Sequence, residues 1–382
     1  MLSARVYERI GVIDPGRWDA IGDDPLSRHA VLAAAEAARM PGVRFRYAIL
    51  ETNGRAVAAV PLACVPIDAE TLTHGAFRRA IASVRTAIPA FLRLRLCVCG
   101  TPLSIASPPL RIVTGVDPAP ILARAGDLLR ELAEEEGAAW RAFKEFGADA
   151  GDAMRALDAL GWHVVPSEPT FVLPLRWRDL DGYLRDLRYP HRRRALLALS
   201  RTRGVISDIV PLKDYDREDH ALYEQVLERA AIRFEHLTPE FFAALGRSCG
   251  DRARLLRFQR GRHLVGWVAI LMDGRRAIDL FHGIDYRAGC AADLYVRQLV
   301  ETVQHAAASG AGELWLGQST EETKIRFGAE TRPLWIGLRH ACALVNALLG
   351  RFSPALFPER PVPVHRVFAE RRTASDAERR TA

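Results

Sequence analysis

The sequence predicts an α/β (α+β layered) fold of two similar units, each a mixed, mostly antiparallel sheet flanked by helices. The chain has 382 residues, which is too long for one comfortable hydrophobic core and fits two domains of ordinary size. Residues suited to tight hairpins join short apolar runs in both halves. Each half also reads as helix, hairpin strands, helix, strand, helix and strand, which indicates a duplicated unit without sequence repetition.

The first half opens with a helix, because residues 24–40 combine an Asp-Pro start with an Ala-rich run of helical spacing. An antiparallel pair follows at residues 44–50 and 56–62. Its strands are joined by Asn53-Gly54, and both central residues of such a turn need positive φ. Residues 75–110 mix arginines with apolar residues and are interpreted as a mobile flap. The remaining predicted elements are a helix at 119–136, a strand at 138–146, a helix at 150–160 and a strand at 170–175.

The second half is predicted to be a domain of its own. The domains are assigned to residues 1–168 and 169–357, divided within the run Pro166-Ser167-Glu168-Pro169. Residues 358–382 are rich in Pro, Arg and Glu and poor in apolar residues, so they are predicted to be a disordered tail. The predicted elements between are helices at 180–184, 188–203, 218–230, 238–247, 291–309, 320–327 and 341–349, and strands at 205–211, 253–259, 263–272, 276–284, 312–316 and 332–340.

Charge and cysteine usage narrow the classes of function. A net charge of +7 favours anionic partners, meaning cofactor phosphates, RNA or an acidic surface. The six cysteines lack repeated spacing, and Cys97-Val98-Cys99 has no second pair of zinc ligands. We therefore expect no disulfide framework and no metal, and interpret these two cysteines as buried. No apolar run is long enough to span a bilayer and the start lacks a secretory signal, so we expect a cytoplasmic protein.

The passage from Ala277 to Ala292 is the first candidate for a site. A strand ends there, a short turn carries Arg287, Ala288, Gly289 and Cys290, and an amphipathic helix begins. Backbone N–H groups at such a helix start suit a pyrophosphate, so these four residues are predicted to bind the cofactor. A strand-to-helix turn that needs one glycine at positive φ explains the same residues equally well.

The segment from Leu316 to Glu330 is the second candidate. Only three of the 53 basic residues are lysines, and one of them is Lys324. This rarity indicates that position 324 has a role for which arginine would not be suitable. A fixed ammonium aimed at a carbonyl oxygen lowers the barrier to acyl transfer, so Lys324 is predicted to be catalytic. It would equally hold a substrate carboxylate or phosphate. The alternative is an exposed lysine paired with Glu321 one helical turn away.

Both segments resemble motifs of known acyltransferases. Arg287-Ala288-Gly289 is similar to the donor-binding corner of the GNAT superfamily, although the fuller Arg/Gln-x-x-Gly-x-Gly/Ala signature is only partly present. Lys324-x-x-Phe327-Gly328 resembles the C-terminal motif of the FemAB-like and BioF2-like acyltransferases, which are tandem GNAT proteins. This resemblance implies tandem GNAT-like domains and transfer of an acyl or aminoacyl group to an amine, without metal. The residues predicted to contact substrate are Gln318, Phe327, Gly328 and Tyr295.

The general base is harder to assign. His282 lies at the end of a central strand and is predicted to take the proton of the attacking amine, because imidazole exchanges protons near neutral pH. A histidine that only packs in the core is the alternative. Asp285, Glu235 and Tyr295 are further candidates.

The arginine-rich run from residue 191 to 203 is relevant to whether the donor is acyl-CoA or charged tRNA. Together with Arg78, Arg79, Arg85, Arg93 and Arg95 it would bind RNA phosphates if the donor were charged tRNA. A solvated basic helix face explains the run without RNA, because aromatic stacking partners are missing nearby. The predicted function is thus N-acyl transfer from acyl-CoA to an amine of a small molecule or of a cell-wall or peptide precursor. The alternatives are an aminoacyl-tRNA-dependent transferase of FemX type and a non-catalytic binding protein.

Overall fold

The structure is a computed structural model that describes residues 2–68, 83–84, 86, 93–103, 105–230, 235–359, 363 and 365–369. The elements of the first half are β1 (Leu2–Tyr7), α1 (Pro15–Asp19), α2 (His29–Ala37), β2 (Arg44–Thr52), β3 (Arg55–Asp68), β4 (Arg93–Cys99), β5 (Arg111–Ile112), α3 (Pro118–Glu135), β6 (Trp140–Gly147), α4 (Gly151–Ala159) and β7 (His163–Pro174). The predicted hairpin is confirmed, with Asn53 at φ 51° and Gly54 at φ 74°.

The prediction of a mobile flap at residues 75–110 is wrong for residues 93–99, which form β4 inside the sheet.

The second half contains the same kinds of element. They are α5 (Leu180–Asp186), α6 (Tyr189–Arg201), β8 (Ile206–Pro211), α7 (Arg217–Arg229), α8 (Pro239–Cys249), β9 (Ala253–Arg260), β10 (His263–Asp273), β11 (Arg276–Ile284), α9 (Ala291–Ala308), β12 (Glu313–Trp315), α10 (Glu321–Arg326), β13 (Glu330–His340) and α11 (Ala343–Leu356). Each predicted helix and strand of this half is present, with ends that differ by a few residues. Among the described helices, none has the length and apolar character needed to cross a membrane.

All the strands form one continuous sheet across both halves. Its order is β1-β2-β3-β4-β6-β13-β7-β12-β11-β10-β9-β8, with β5 beside β3. The last strand of each half lies in the other half's part of the sheet, because β13 pairs with β6 and β7 pairs with β12. The strands β7 and β13 also pair with each other. This exchange joins the halves by backbone hydrogen bonds as well as by side-chain packing.

The two halves repeat one topology. In each, four consecutive strands pair antiparallel, β1 to β4 and β8 to β11. An 18-residue helix, α3 or α9, then crosses over to a strand that pairs in parallel, β6 or β12. A parallel pair requires such a crossover. The topology supports the duplicated unit that the order of elements predicts.

Each parallel pair is short, because β4 and β12 end while their partners β6 and β11 continue. Pairing joins residues 96–99 to 140–143 in the first half and residues 276–278 to 313–315 in the second. Beyond Ile278, β11 continues to Ile284 without β12. In open α/β sheets, ligands bind in the crevice outside the carboxyl ends of neighbouring parallel strands. The chain therefore has two such crevices, which we call the first-half crevice (β4/β6) and the second-half crevice (β11/β12).

The hydrophobic core also crosses between the halves. One cluster packs α2 of the first half against α8 of the second, with Phe241, Phe242 and Trp267 fully buried. Separate clusters lie under α3 in the first half and under α9 in the second. Cys97 and Cys99 are fully buried in the first-half cluster, as predicted.

Part of the predicted disordered tail is ordered. Residues 365–369 lie along α5 and α6, where Phe368 pairs with Leu187 in an isolated bridge. The Arg188 N–H donates to the Val367 carbonyl at 2.8 Å, and the Ala369 N–H donates to the Asp186 carbonyl at 2.8 Å. The Phe368 ring packs against Trp177 and Tyr183, which offsets the small number of apolar residues in the tail.

Candidate functional site

The second-half crevice contains a buried pair formed by Asp279 and His282 on β11. Residues three apart in a regular strand point to opposite faces of the sheet. Here Leu280 is an extra residue opposite β10, because Ala269 pairs with Phe281 and Ile270 pairs with Asp279. This β-bulge turns Asp279 and His282 to the same face, where His282 Nε2 lies 3.0 Å from Asp279 Oδ2.

The second ring nitrogen of His282 is bound by Gln298 on α9. The Gln298 amide nitrogen donates to the carbonyls of Trp267 and Gly283, at 3.3 Å and 3.0 Å, so its oxygen is left to accept from His282 Nδ1 at 3.2 Å. Gly266 makes room for this amide, since a Cβ there would lie 2.6 Å from Gln298 Nε2. Both ring nitrogens of His282 thus lie within hydrogen-bond distance of side-chain oxygens, one on Asp279 and one on Gln298. These two contacts fix the orientation of the ring, and its role as the general base stays a prediction.

Lys324 is buried beside the same pair. Its side chain belongs to α10, and the residue is only 2% exposed. The Nζ donates to the Leu316 carbonyl and lies 5.8 Å from the centre of the Phe171 ring. Burial lowers the pKa of Lys324 to about 8, while the charge of Asp279 acts in the opposite direction. The alternative of an exposed lysine paired with Glu321 is therefore wrong.

Tyr295 connects the start of α9 to the start of α10. Its phenol hydrogen-bonds to the hydroxyl of Thr320, and its ring lies 5.4 Å from the His282 ring. Burial raises the pKa of Tyr295, so the phenol keeps its proton over the physiological range. Thr320 has φ 55°, a left-handed conformation that is costly for a β-branched residue and recurs at functional sites.

The predicted cofactor cradle lies at the same edge of the sheet. The Asp285 carboxylate accepts from the Arg287 N–H at 2.9 Å, Gly289 has φ 73°, and α9 begins after Cys290. The space where a Cβ of Gly289 would lie is open. The Arg260 guanidinium donates to Cys290 Sγ at 2.9 Å, which places another cation at this turn. Since β11 and β12 are parallel, the turn after β11 and the Lys324 segment after β12 leave the sheet at one edge.

Gln318 reaches across to the first half. Its amide nitrogen donates to Glu145 Oε1 at 3.1 Å and to the Glu168 carbonyl at 2.8 Å. Glu145 lies on β6, where residues 144 and 145 together oppose the single residue Ile336 of β13. Glu145 has φ 53°, and burial raises its pKa while the charge of Lys144 opposes the shift. The bulge in β6 therefore turns a buried carboxylate toward the segment that holds Lys324.

Two of the predicted substrate contacts lie outside this cluster. Phe327 is fully buried in the core of the second half, and its carbonyl accepts from the Tyr183 hydroxyl at 2.8 Å. At Gly328, with φ 93°, a Cβ would lie 2.2 Å from the Phe368 ring. Phe327 therefore anchors the end of α10 in the core. Gly328 leaves the space that the Phe368 ring of the tail occupies. Gln318 and Tyr295 do lie at the cluster.

Asp279, Gln298 and Glu145 are not among the residues predicted from the sequence. A signal existed for Gln298, a polar residue on the buried face of an amphipathic helix, where it is fully enclosed. Asp279 and Glu145 depend on bulges, which shift side chains between faces without a composition that marks them. Among the earlier base candidates, Asp285 is engaged in capping the turn before α9.

Other features of the described residues are separate from this cluster. A surface cavity of about 730 Å³ lies between β1, α2 and β2, lined by charged residues such as Glu8, Glu36 and Arg46, and it contains none of the predicted site residues. On α7 and the loop before α8, His220, Glu224 and His236 bring ligand atoms within 4.8 Å of one another, and such a group can hold a metal ion. We place the candidate site at the second-half crevice, because buried ionisable groups with shifted pKa values converge there.

Comparison with known proteins identifies relatives by structure alone. No protein-family model matches the chain, and no curated protein matches it in sequence. A solved structure of FemX is similar with a TM-score of 0.53 and 13% identity, over 85% of this chain and 96% of FemX. A tandem GNAT protein from the clavulanic acid biosynthesis pathway has a TM-score of 0.50 and 14% identity, over 90% of this chain and 99% of its own. L-PGS from Bacillus licheniformis has a TM-score of 0.51 and 9% identity, over 89% of this chain and 99% of L-PGS.

These similarities extend over most of each chain. At such low identity they establish the fold, and the fold is that of tandem GNAT proteins, as the two motifs predict. The mixed sheet flanked by helices is confirmed with it.

Proposed function

We propose that this chain is an N-acyltransferase that moves an acyl group from acyl-CoA to an amine. The donor is held at the second-half crevice, and the amine enters between the two halves. The observation that carries the proposal is the convergence of Lys324, Asp279 and His282 beside the turn that leads into α9. The fold shared with tandem GNAT proteins supports the same class of chemistry.

The donor fits the start of α9. The first N–H groups of an α-helix have no partner within the helix, and the helix dipole adds positive potential there. Gly289 leaves open space for a pyrophosphate to approach, and Arg260 and Arg287 add positive charge at the turn. The acyl group then extends from this turn along the edge of the sheet that leads to Lys324.

The reaction joins the amine nitrogen to the thioester carbon and breaks the carbon–sulfur bond. Negative charge develops on the carbonyl oxygen as the nitrogen attacks. The Lys324 ammonium has three N–H donors and gives one to the Leu316 carbonyl, which leaves donors for that oxygen. Tyr295 keeps its phenolic proton and is suited to protonate the departing CoA thiolate.

The amine loses a proton on the side of the first half. Glu145 is one hydrogen bond away from Gln318, and Gln318 follows Leu316 by two residues. Burial raises the pKa of the Glu145 carboxyl, against the charge of Lys144, and a carboxylate with a raised pKa is a stronger base for taking a proton from an ammonium. We therefore assign both the removal of this proton and the recognition of the acceptor amine to the contact between Glu145 and Gln318.

The proposal is tested by thiol release. Purified protein is incubated with acyl-CoAs of increasing chain length and an amine-rich cell extract, and free CoA and newly acylated amines are measured by mass spectrometry. We expect amine-dependent CoA release with the wild type and a rate lowered about 100- to 1000-fold with Lys324→Met. Thermal stabilisation by CoA without turnover of any acyl-CoA would indicate a non-catalytic binding protein instead.

An aminoacyl-tRNA donor is the second candidate, and the position of α6 favours it. Arg193, Arg194, Arg201 and Arg203 are exposed on or just after this helix. The Arg201 guanidinium lies 3.5 Å from Asp293 in the first turn of α9, so this basic face borders the proposed donor turn. Arg78, Arg79 and Arg85, predicted to join it, lie outside the described residues. Transfer from charged tRNA that weakens steeply with salt would favour this donor over acyl-CoA.

A further inference from the structure

The helix α11 exposes an apolar face that the site does not use. Leu344, Leu348, Phe352 and Leu356 recur every four residues, so they form one row along the helix. Their exposed fractions lie between 47% and 69%, although such side chains are ordinarily buried. At a rise of 1.5 Å per residue the row is about 18 Å long.

The helix is held firmly with this row outward. Leu349 is buried on its opposite face, in the cluster that packs on β6, β7 and β13. Gly350 lets the helix approach β7, since a Cβ there would lie 2.6 Å from the His163 ring. The row is therefore a fixed surface of the fold. Contiguous exposed apolar patches of this kind mark protein or membrane interaction sites.

The charged residues along and beside the row are mostly basic, although Glu359 follows it by three residues. Residues 341–358 contain no Asp or Glu, and their one charged residue is Arg351, which is exposed with its guanidinium 5.9 Å from the Phe352 ring. Arg339 and His340 immediately precede the segment. A partner that matches this face is thus apolar with a negatively charged border.

We propose that the α11 row binds the surface of a lipid bilayer that contains anionic lipids. The apolar side chains enter the boundary between headgroups and acyl chains, and Arg351 remains at the anionic headgroups. With 14 residues the helix lies along the surface and does not cross it. This inference goes beyond acyl transfer and does not depend on it.

A second copy of the chain matches the row less well. Two-fold packing of α11 on itself places the same patch on both partners. The row from 344 to 356 is centred at residue 350, so Arg351 would meet its own copy near the axis. Residues 341–358 provide no acidic side chain to offset that repulsion.

The test is co-sedimentation of the full chain with vesicles. One set is phosphatidylcholine alone, and the other is an equimolar mixture of phosphatidylcholine and phosphatidylglycerol. We expect the wild type to sediment with the mixed vesicles. The triple variant L344Q/L348Q/F352Q should lower the bound fraction at least roughly tenfold, and Arg351→Glu should lower binding to the mixed vesicles only. Because these side chains are exposed, circular dichroism should show an unchanged fold.

The matched control replaces exposed apolar residues elsewhere. Ile206 and Ile209 are 72% and 47% exposed on the edge strand β8, so I206Q/I209Q removes comparable apolar surface. This variant should bind vesicles like the wild type. The proposal is overturned if the wild type stays in the supernatant with both vesicle sets, or if the triple variant binds as well as the wild type. A wild-type dimer that the triple variant abolishes, without vesicle binding, would assign the face to a second copy.

Discussion

The two crevices of the sheet arise from one topology, yet the connections that follow β4 and β11 differ in length and in packing. In the first half, the connection between β4 and α3 runs from residue 100 to 117 and hydrogen-bonds to Lys144 and Glu145 of β6. In the second half, the link between β11 and α9 runs only from residue 285 to 290. Gly100, with φ 130°, packs closely on Lys144, because a Cβ there would lie 3.0 Å from Lys144 Cβ. The longer connection thus packs on Lys144, and a cavity of about 430 Å³ lies between it and the end of β6.

The lysines at the two crevices differ in the same way. Lys144 Nζ donates to the carbonyls of Thr101, Leu103 and Ile105 and lies 3.8 Å from Glu145. Lys324 Nζ donates to the Leu316 carbonyl and is influenced by the charge of Asp279. A lysine whose N–H donors all bind backbone carbonyls of the fold has a structural role. A lysine with further N–H donors can also hydrogen-bond to the oxygen of a reacting carbonyl. This difference supports the proposal that catalysis belongs to the second half and acceptor recognition to the first.

Replacing Lys324 by Met should have the largest effect. Methionine keeps most of the side-chain volume but removes the ammonium, so the developing oxyanion loses its donor. Loss of one such donor typically lowers kcat by about 100- to 1000-fold. The measurement is steady-state release of CoA, alongside circular dichroism to show that the fold is retained.

Lys144→Met is the matched control for that variant. It leaves three buried carbonyls without their donor, which should lower the free energy of unfolding by about 1–3 kcal/mol. At a temperature where the variant is folded, kcat should fall less than in Lys324→Met, because the oxyanion donor remains and only the pKa of Glu145 rises when the charge of Lys144 is removed. Equal losses of kcat in the two variants would contradict the assignment of different roles to the two crevices.

The pH dependence of stability tests the burial of Lys324. Its pKa is about 8 in the folded chain and 10.5 in the absence of burial. Between these values the unfolded chain binds more protons, so the wild type gains stability as pH rises from 8 to 10.5. Relative to Lys324→Met, the gain should be on the order of 3 kcal/mol. Denaturant unfolding of both proteins across this range measures it, and a constant difference would show that Lys324 is accessible to water.

Much of the fold could be predicted from sequence because its signals are local. The turn at Asn53-Gly54, the amphipathic spacing of α9 and the order of elements all depend on neighbouring residues. Lys324 stands out in the sequence because it is a rare residue type within a recognisable motif, and its catalytic role stays a prediction. The burial of Lys324 could not be predicted, since the segment Glu321–Arg326 is polar in sequence and is enclosed only by the tertiary fold.

Features that depend on distant pairing could not be predicted. The exchange of β7 and β13 joins strands more than 150 residues apart, and no local pattern specifies it. The bulges at Leu280 and at residues 144–145 are visible only against the partner strand. Both bulges redirect site residues, so the cluster around Asp279 and Glu145 was missed for one physical reason. The ordered residues 365–369 were missed because a single aromatic residue, Phe368, holds them.

Replacing Asp279 by Asn should have an intermediate effect. The amide keeps the size of the side chain but removes the negative charge that raises the pKa of Lys324. The fraction of charged Lys324 near pH 8 should then fall, and kcat at that pH should drop about tenfold. Because activity requires the ammonium, the wild-type rate should decline as pH rises through about 8, and the variant should decline at lower pH. If the two pH–rate profiles coincide, the charge of Asp279 does not influence the pKa of Lys324.

Replacing Gly289 by Ala should have the smallest effect. Gly289 has φ 73° with open space around the missing Cβ, so the substitution costs about 1 kcal/mol of backbone strain and creates no clash. If a donor pyrophosphate approaches this turn, the added methyl should raise the KM for acyl-CoA a few-fold and leave kcat unchanged. Gly274→Ala is the control, because Gly274 has φ 57° and equally open surroundings in the hairpin between β10 and β11. Both variants should lose similar stability, and only Gly289→Ala should change KM; equal KM values would place the donor away from this turn.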